Sequence, residues 1–154
     1  MSSQYAIWDA VALIPPVLQS RPRDFFSYAA DFTNVAASAT VSQDVKISDD
    51  ADFILVYQTY VASNAAGTTF FNPAPFTATM KDAGAGRDLS NAPVHINNIF
   101  GTAQNPAVLP QPKLFFRAST YTITLNNLDA GTAYTVRLGL VGFKVYGERL
   151  SASY

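Results

Sequence analysis

Apolar side chains occupy every second position along residues 41–47, 53–61, 76–80, 94–96, 121–125 and 134–145, and Gly, Pro, Asn and Asp separate the runs. Successive side chains of an extended chain point to opposite faces. A period of two therefore predicts antiparallel strands with one face buried and the other wet. The pattern is cleanest where Tyr121, Ile123 and Leu125 oppose Thr120, Thr122 and Thr124. Val41, Val45 and Ile47 likewise oppose Ser42, Asp44 and Lys46, and Phe76, Ala78 and Met80 oppose Thr77, Thr79 and Lys81. The segment 52–62 is apolar on both faces in its first half, which predicts a central strand covered on both sides. Phe25, Phe26, Tyr28 and Phe32 predict a first strand over 25–32. A long last strand is expected over 132–146, with Gly139 and Gly142 marking a bulge or bend within it.

Shorter signals complete the outline. Residues 93–96 predict a brief strand in which His95 faces away from Val94 and Ile96. Turn-rich stretches at 63–67, 82–88 and 127–131 read as loops, and Ser48-Asp49-Asp50 as a turn. Pro106, Pro110 and Pro112 are expected to cap strand ends and to keep an edge from pairing with other chains. About eight antiparallel strands, long crossing loops and no internal repeat predict an all-β, jelly-roll or Greek-key sandwich over residues 25–154. Residues 1–24 differ and read as an apolar N-terminal arm. Ile7, Val11, Ile14 and Leu18 have helical spacing there, but Pro15-Pro16 is expected to break a helix after one or two turns. Arg21-Pro22-Arg23 then reads as an extended connector.

Composition narrows what such a sandwich does. The chain has 154 residues, enough for one domain with a sizeable core. Charged residues make up 14%, well below the roughly 25% of an average soluble domain. The outer surface must then be Ser, Thr, Asn, Gln and Ala, or be covered by partners. With 10 Lys and Arg against 11 Asp and Glu, the net charge is −1, which argues against a nucleic-acid partner and a polybasic membrane-surface mode. There is no Cys, so no disulfide or thiolate metal site supports the fold. No apolar run has the 18 or so residues of a membrane span. The first residues lack a basic stretch before their apolar run, so secretory export is not expected.

Candidate chemistry is sparse. Asp49, Asp50 and Asp52 form the one acidic cluster, but the spacing of an EF-hand loop is missing and a solvated turn accounts for them. His95 is the single histidine, and a triad or zinc site would have to draw its partners from elsewhere in the chain. Gly84-Ala85-Gly86 lies between strands rather than before a helix, which makes it a β-turn and not a phosphate loop. Glu148 is the one glutamate, so no carboxylate pair for sugar hydrolysis stands out. Tyr57, Tyr60 and Tyr121 could form a stacking platform for sugars, but such residues are more often core and cross-strand pairs. No catalytic, cofactor or metal residue is assigned.

The arm offers the strongest contact signal. Tyr5, Ile7, Trp8, Leu13, Ile14, Leu18, Arg21 and Arg23 lie in one short segment, and Trp, Tyr and Arg are the usual anchors of interfaces. The arm either packs on its own sandwich, or reaches a partner, or does both by exchange between identical subunits.

Several stretches carry a resemblance. They are 76–79 (FTAT), Asp82, Gly84, 86–94 (GRDLSNAPV), Phe100-Gly101, 108–115 (VLPQPKLF), 125–129 (LNNLD), Val136-Arg137-Leu138 and Gly142-Phe143-Lys144. Together they resemble the small β-rich capsid-associated, cement or decoration proteins of tailed bacteriophages. The resemblance implies a non-enzymatic, jelly-roll-like virion structural protein that binds major capsid subunits and itself, and reinforces the head. It implies a place on the capsid surface, and in the host cytoplasm during assembly. A neck, collar or fibre-base position fits the same pattern. A carbohydrate-binding sandwich for host-surface recognition is the alternative from another class.

Overall fold

A computed structural model describes residues 16–148. A single helical turn, α1 (Pro16–Gln19), precedes the strands β1 (Arg23–Val35), β2 (Thr40–Lys46), β3 (Asp52–Asn64), β4 (Phe70–Phe71), β5 (Phe76–Asp82), β6 (Arg87–Asp88) and β7 (Val94–His95). A second turn, α2 (Ile96–Ile99), leads to β8 (Ala107–Phe115), β9 (Thr120–Asn127) and β10 (Tyr134–Val145).

The strands form two five-stranded antiparallel sheets. In the first, β1 pairs β10, β10 pairs β3, and the far edge of β3 is shared by β8 and β4. In the second, β2 pairs β9, β9 pairs β5, and β5 carries β6 and β7. With the two-residue strands β4 and β6 set aside, the orders are β1-β10-β3-β8 and β2-β9-β5-β7. Chain-distant strands lie side by side in both sheets. This is the double Greek key of a jelly roll, as the alternation predicted.

The core lies between the sheets. Phe53, Leu55, Phe115, Val136, Leu138 and Leu140 come from the first, and Phe76, Ala78, Tyr121, Ile123 and Leu125 from the second. Phe115 stacks on Tyr121 across the gap, with ring centroids 3.8 Å apart and planes 19° from parallel. Burial raises the Tyr121 phenol to about 12. On β9 the burial alternates without a break, as predicted.

The helix expected to end at Pro15-Pro16 lies outside the described residues. The structure departs from the sequence reading in three places. The proline-rich stretch 107–115 is itself a strand, β8, and lies on the sheet edge where a proline costs no ladder bond. Its pairing with β3 is broken between Lys113 and Val108, and the residues 109–112 between them, including both prolines, bow away. The expected strand 93–96 stops at His95, because Ile96 starts α2. The first strand begins at Arg23, so the last two residues assigned to the arm belong to the sandwich.

The predicted irregularity in the last strand is present. Between β10 and β3 the register slips at Val141/Gly142, leaving Val56 without a partner. A Cβ on Gly142 would come within 1.8 Å of the Ile54 carbonyl oxygen, so glycine is required for that close approach. The extra residue turns both Val56 and Tyr57 toward the outer face.

Candidate functional site

The outer face of the first sheet is apolar. Ile54, Val56 and Val145 form a second buried cluster there, joined by Tyr57, Leu114, Phe116 and Phe143. The cover comes from α1, whose Leu18 is 2% exposed and belongs to the same cluster. Among the described residues the cover is incomplete. Phe25, on the outward side of β1, is 65% exposed and meets Phe143 edge-on at 6.2 Å.

This geometry locates the described part of the arm. Leu18 packs on the chain's own sheet. Arg21 donates to the backbone carbonyl of Glu148, tying the connector to the far end of the described chain. Arg23 is exposed, with its guanidinium carbon 6.0 Å from the Phe143 ring centre. Tyr5, Ile7, Trp8, Leu13 and Ile14 lie outside the described residues.

The acidic cluster is bound by the chain's own cations. Asp52, 1% exposed, accepts from the Arg117 backbone N–H at 2.9 Å and from its guanidinium at 3.0 Å. Both Asp50 oxygens accept from Lys144 Nζ at 3.0 Å. That ammonium lies 4.3 Å from the centre of the Phe26 ring. The Lys144 hydrogen bond lowers the Asp50 carboxyl below its usual range. Burial works against the Lys144 charge, but Asp50 and the neighbouring phenols outweigh it and hold the lysine above its ordinary value. Among the described residues, no group of three His, Asp or Glu converges as a metal ion would need.

The remaining candidates take structural places. His95 caps α2, its Nδ1 accepting from the Asn97 N–H at 3.4 Å. The glycine loop is a turn in which Asp82 accepts from the N–H groups of Gly84 and Ala85. The tyrosine platform is not assembled. Tyr60 and Tyr121 are each 2% exposed and belong to the core, while Tyr57 packs against the outer cluster.

Sequence reasoning missed a cleft at the end of the sandwich where β4 meets the segment after α2. One cavity of about 320 Å³ is lined by Tyr60, Val61, Phe70, Phe71, Asn72 and Gln104, among others. A smaller one of about 150 Å³ shares Tyr60, Asn72 and Thr102 with it, and adds Asn97 and Asn105. Phe70 is 67% exposed on its rim. Tyr60 Oη donates toward the side-chain carbonyls of Asn72, at 3.1 Å, and of Asn97. The segment after α2 is fixed to β3 by the Tyr60 N–H, which donates to the Gly101 carbonyl at 2.7 Å. A Cβ at Gly101 would fall 2.1 Å from the Asn105 carbonyl oxygen, so glycine is needed for this tight return. The signal available in the sequence was the Phe70-Phe71 pair inside a loop-like stretch.

No protein-family model and no curated protein matches this chain. Among solved structures, a chain of the Cyanophage Pam1 capsid asymmetric unit is similar over 81% of this chain and 86% of its own, at 15% identity and a TM-score of 0.45. The assignment to the jelly-roll class rests on the strand order given above.

Proposed function

We propose that this chain is a non-enzymatic structural protein of a tailed-phage virion, which binds major capsid subunits and itself to reinforce the head. The observation that carries the reading is the outer face of the first sheet. An apolar face on a sandwich is ordinarily covered, and among the described residues the cover leaves the Phe25 ring exposed. Exposed apolar area of this kind marks contact surfaces. The segment 1–15 precedes α1 in the sequence and carries Tyr5, Ile7, Trp8, Leu13 and Ile14, of the residue types that anchor contacts. A protein that occupies many equivalent positions on a shell gains avidity from repeated modest contacts. Each apolar Å² removed from water contributes about 25 cal/mol before association costs are counted. The resemblance over roughly residues 50–147 to cement and decoration proteins supports the same reading.

The test is co-sedimentation with purified capsids of the source particle. Deletion should stop at residue 15, because Leu18 belongs to the outer cluster and its loss would disturb the fold. The full chain is expected to sediment with capsids, the 1–15 deletion and the full-length Phe25→Ser variant much less. Undiminished co-sedimentation of both variants would overturn the assignment of this surface.

A further inference from the structure

The cleft between β4 and the 100–105 segment combines three properties. It has an exposed flat ring, Phe70. It has a row of primary amides: Asn72, Asn97 and Asn105 around the smaller cavity and Gln104 on the larger. Neither lining contains a charged side chain. Each amide offers two donors and one acceptor oxygen, and so matches hydroxyl groups, which both donate and accept. The neutral lining disfavours phosphate, carboxylate or ammonium ligands, none of which would find a counter-charge there.

We propose that this cleft binds a neutral saccharide, with the Phe70 ring under the apolar face of a pyranose and the amides of Asn72, Gln104 and Asn105 on its hydroxyls. The backbone that carries these side chains is held in place. Phe71, next to the platform, packs edge-on against Tyr134 at 5.0 Å. Asn72 is anchored through the Tyr60 phenol. Asn105 closes its turn by donating its N–H to the Thr102 carbonyl at 3.1 Å and to the Thr102 hydroxyl at 3.2 Å. Little ordering is then needed on binding, which matters for a weak ligand. The cleft lies at β4 and α2, apart from the outer cluster under α1, so this inference stands independently of the capsid reading.

Backbone amide NMR of the full chain tests it, with methyl β-glucoside, methyl β-galactoside and N,N′-diacetylchitobiose added to millimolar concentration. At least one sugar is expected to shift signals confined to residues 70–72 and 102–105. Phe70→Ala, at an exposed position, is expected to keep the fold by circular dichroism. It should weaken binding about tenfold, which is ~1.4 kcal/mol. Gln104→Ala should weaken it about threefold. The proposal is overturned if none of the three sugars shifts these signals, or if Phe70→Ala binds as tightly as the parent. It is also overturned if Phe70→Ala loses capsid co-sedimentation while no sugar binds, which would make the cleft a protein contact.

Discussion

The two sheets use the same alternation to opposite ends on their outer faces. On the second sheet the outward residues are polar and join across strands. Ser42 meets Thr124 at 2.7 Å, Thr40 meets Asn126 at 3.1 Å, and Thr122 donates to Asp44 at 2.6 Å. Such a face is complete in water and needs no partner. On the first sheet the outward residues Ile54, Val56 and Val145 are apolar and buried in a cluster with Leu18 of α1, while Phe25 beside them stays exposed. One end of this sheet is also tied by charge, through Asp52 with Arg117 and Asp50 with Lys144. The difference separates a polar face that is complete in water from an apolar face that has to be covered, inside a single fold.

Substitutions can break this contrast, beginning with the contact both sheets share. Phe115→Ala opens the core between them and should cost about 4 kcal/mol in urea unfolding. Asp52→Ala leaves Arg117 without its nearly buried partner and should cost about 3 kcal/mol. Leu18→Ala thins the cover of the first sheet and should cost about 2 kcal/mol. The matched change on the second sheet, Thr124→Ala, should stay within about 0.5 kcal/mol. A Thr124→Ala loss as large as that of Leu18→Ala would erase the distinction between the faces.

Titration sharpens the same contrast, because Asp50 and Lys144 staple only the first sheet. The Asp50 carboxyl is held below its ordinary 3.8 by the Lys144 hydrogen bond. Its contribution is therefore present above 3.8 and fades as the pH falls through the lower folded value. Lys144 stands above its ordinary 10.5, so its contribution is full below 10.5 and fades as the pH rises past it. Asp50→Asn should flatten the acid limb of a stability-against-pH curve measured by thermal unfolding. An acid limb unchanged by Asp50→Asn would show that the pair does not hold the sheet.

The strands with one wet face could be read from the sequence because water enforces their alternation. β9 and β5 appear almost residue for residue. The central strand β3 was legible from its continuous apolar half, but the material covering its outer side was not. That depends on the bulge at Val56, where one extra residue turns Tyr57 outward, and on a four-residue turn too short for a periodic signal. β8 was hidden because its prolines argue against a strand until the partner edge is known. The Phe70 cleft was hidden for a different reason. Its ring and amides come from β4, α2 and the segment after it, and only the tertiary fold brings them together. The tyrosines proposed for sugar stacking failed because Tyr60 and Tyr121 point into the core while Tyr57 packs in the outer cluster with Leu18.

The most direct test of the contact-face account is an electron cryomicroscopy reconstruction of the source particle at a resolution that separates strands. The account predicts the sandwich bound at the shell, with the outer face of the first sheet and Phe25 turned toward a neighbouring subunit and the threonine-rich face of the second sheet open to solvent. A particle that lacks this chain, or one in which the threonine-rich face makes the contact, would contradict it.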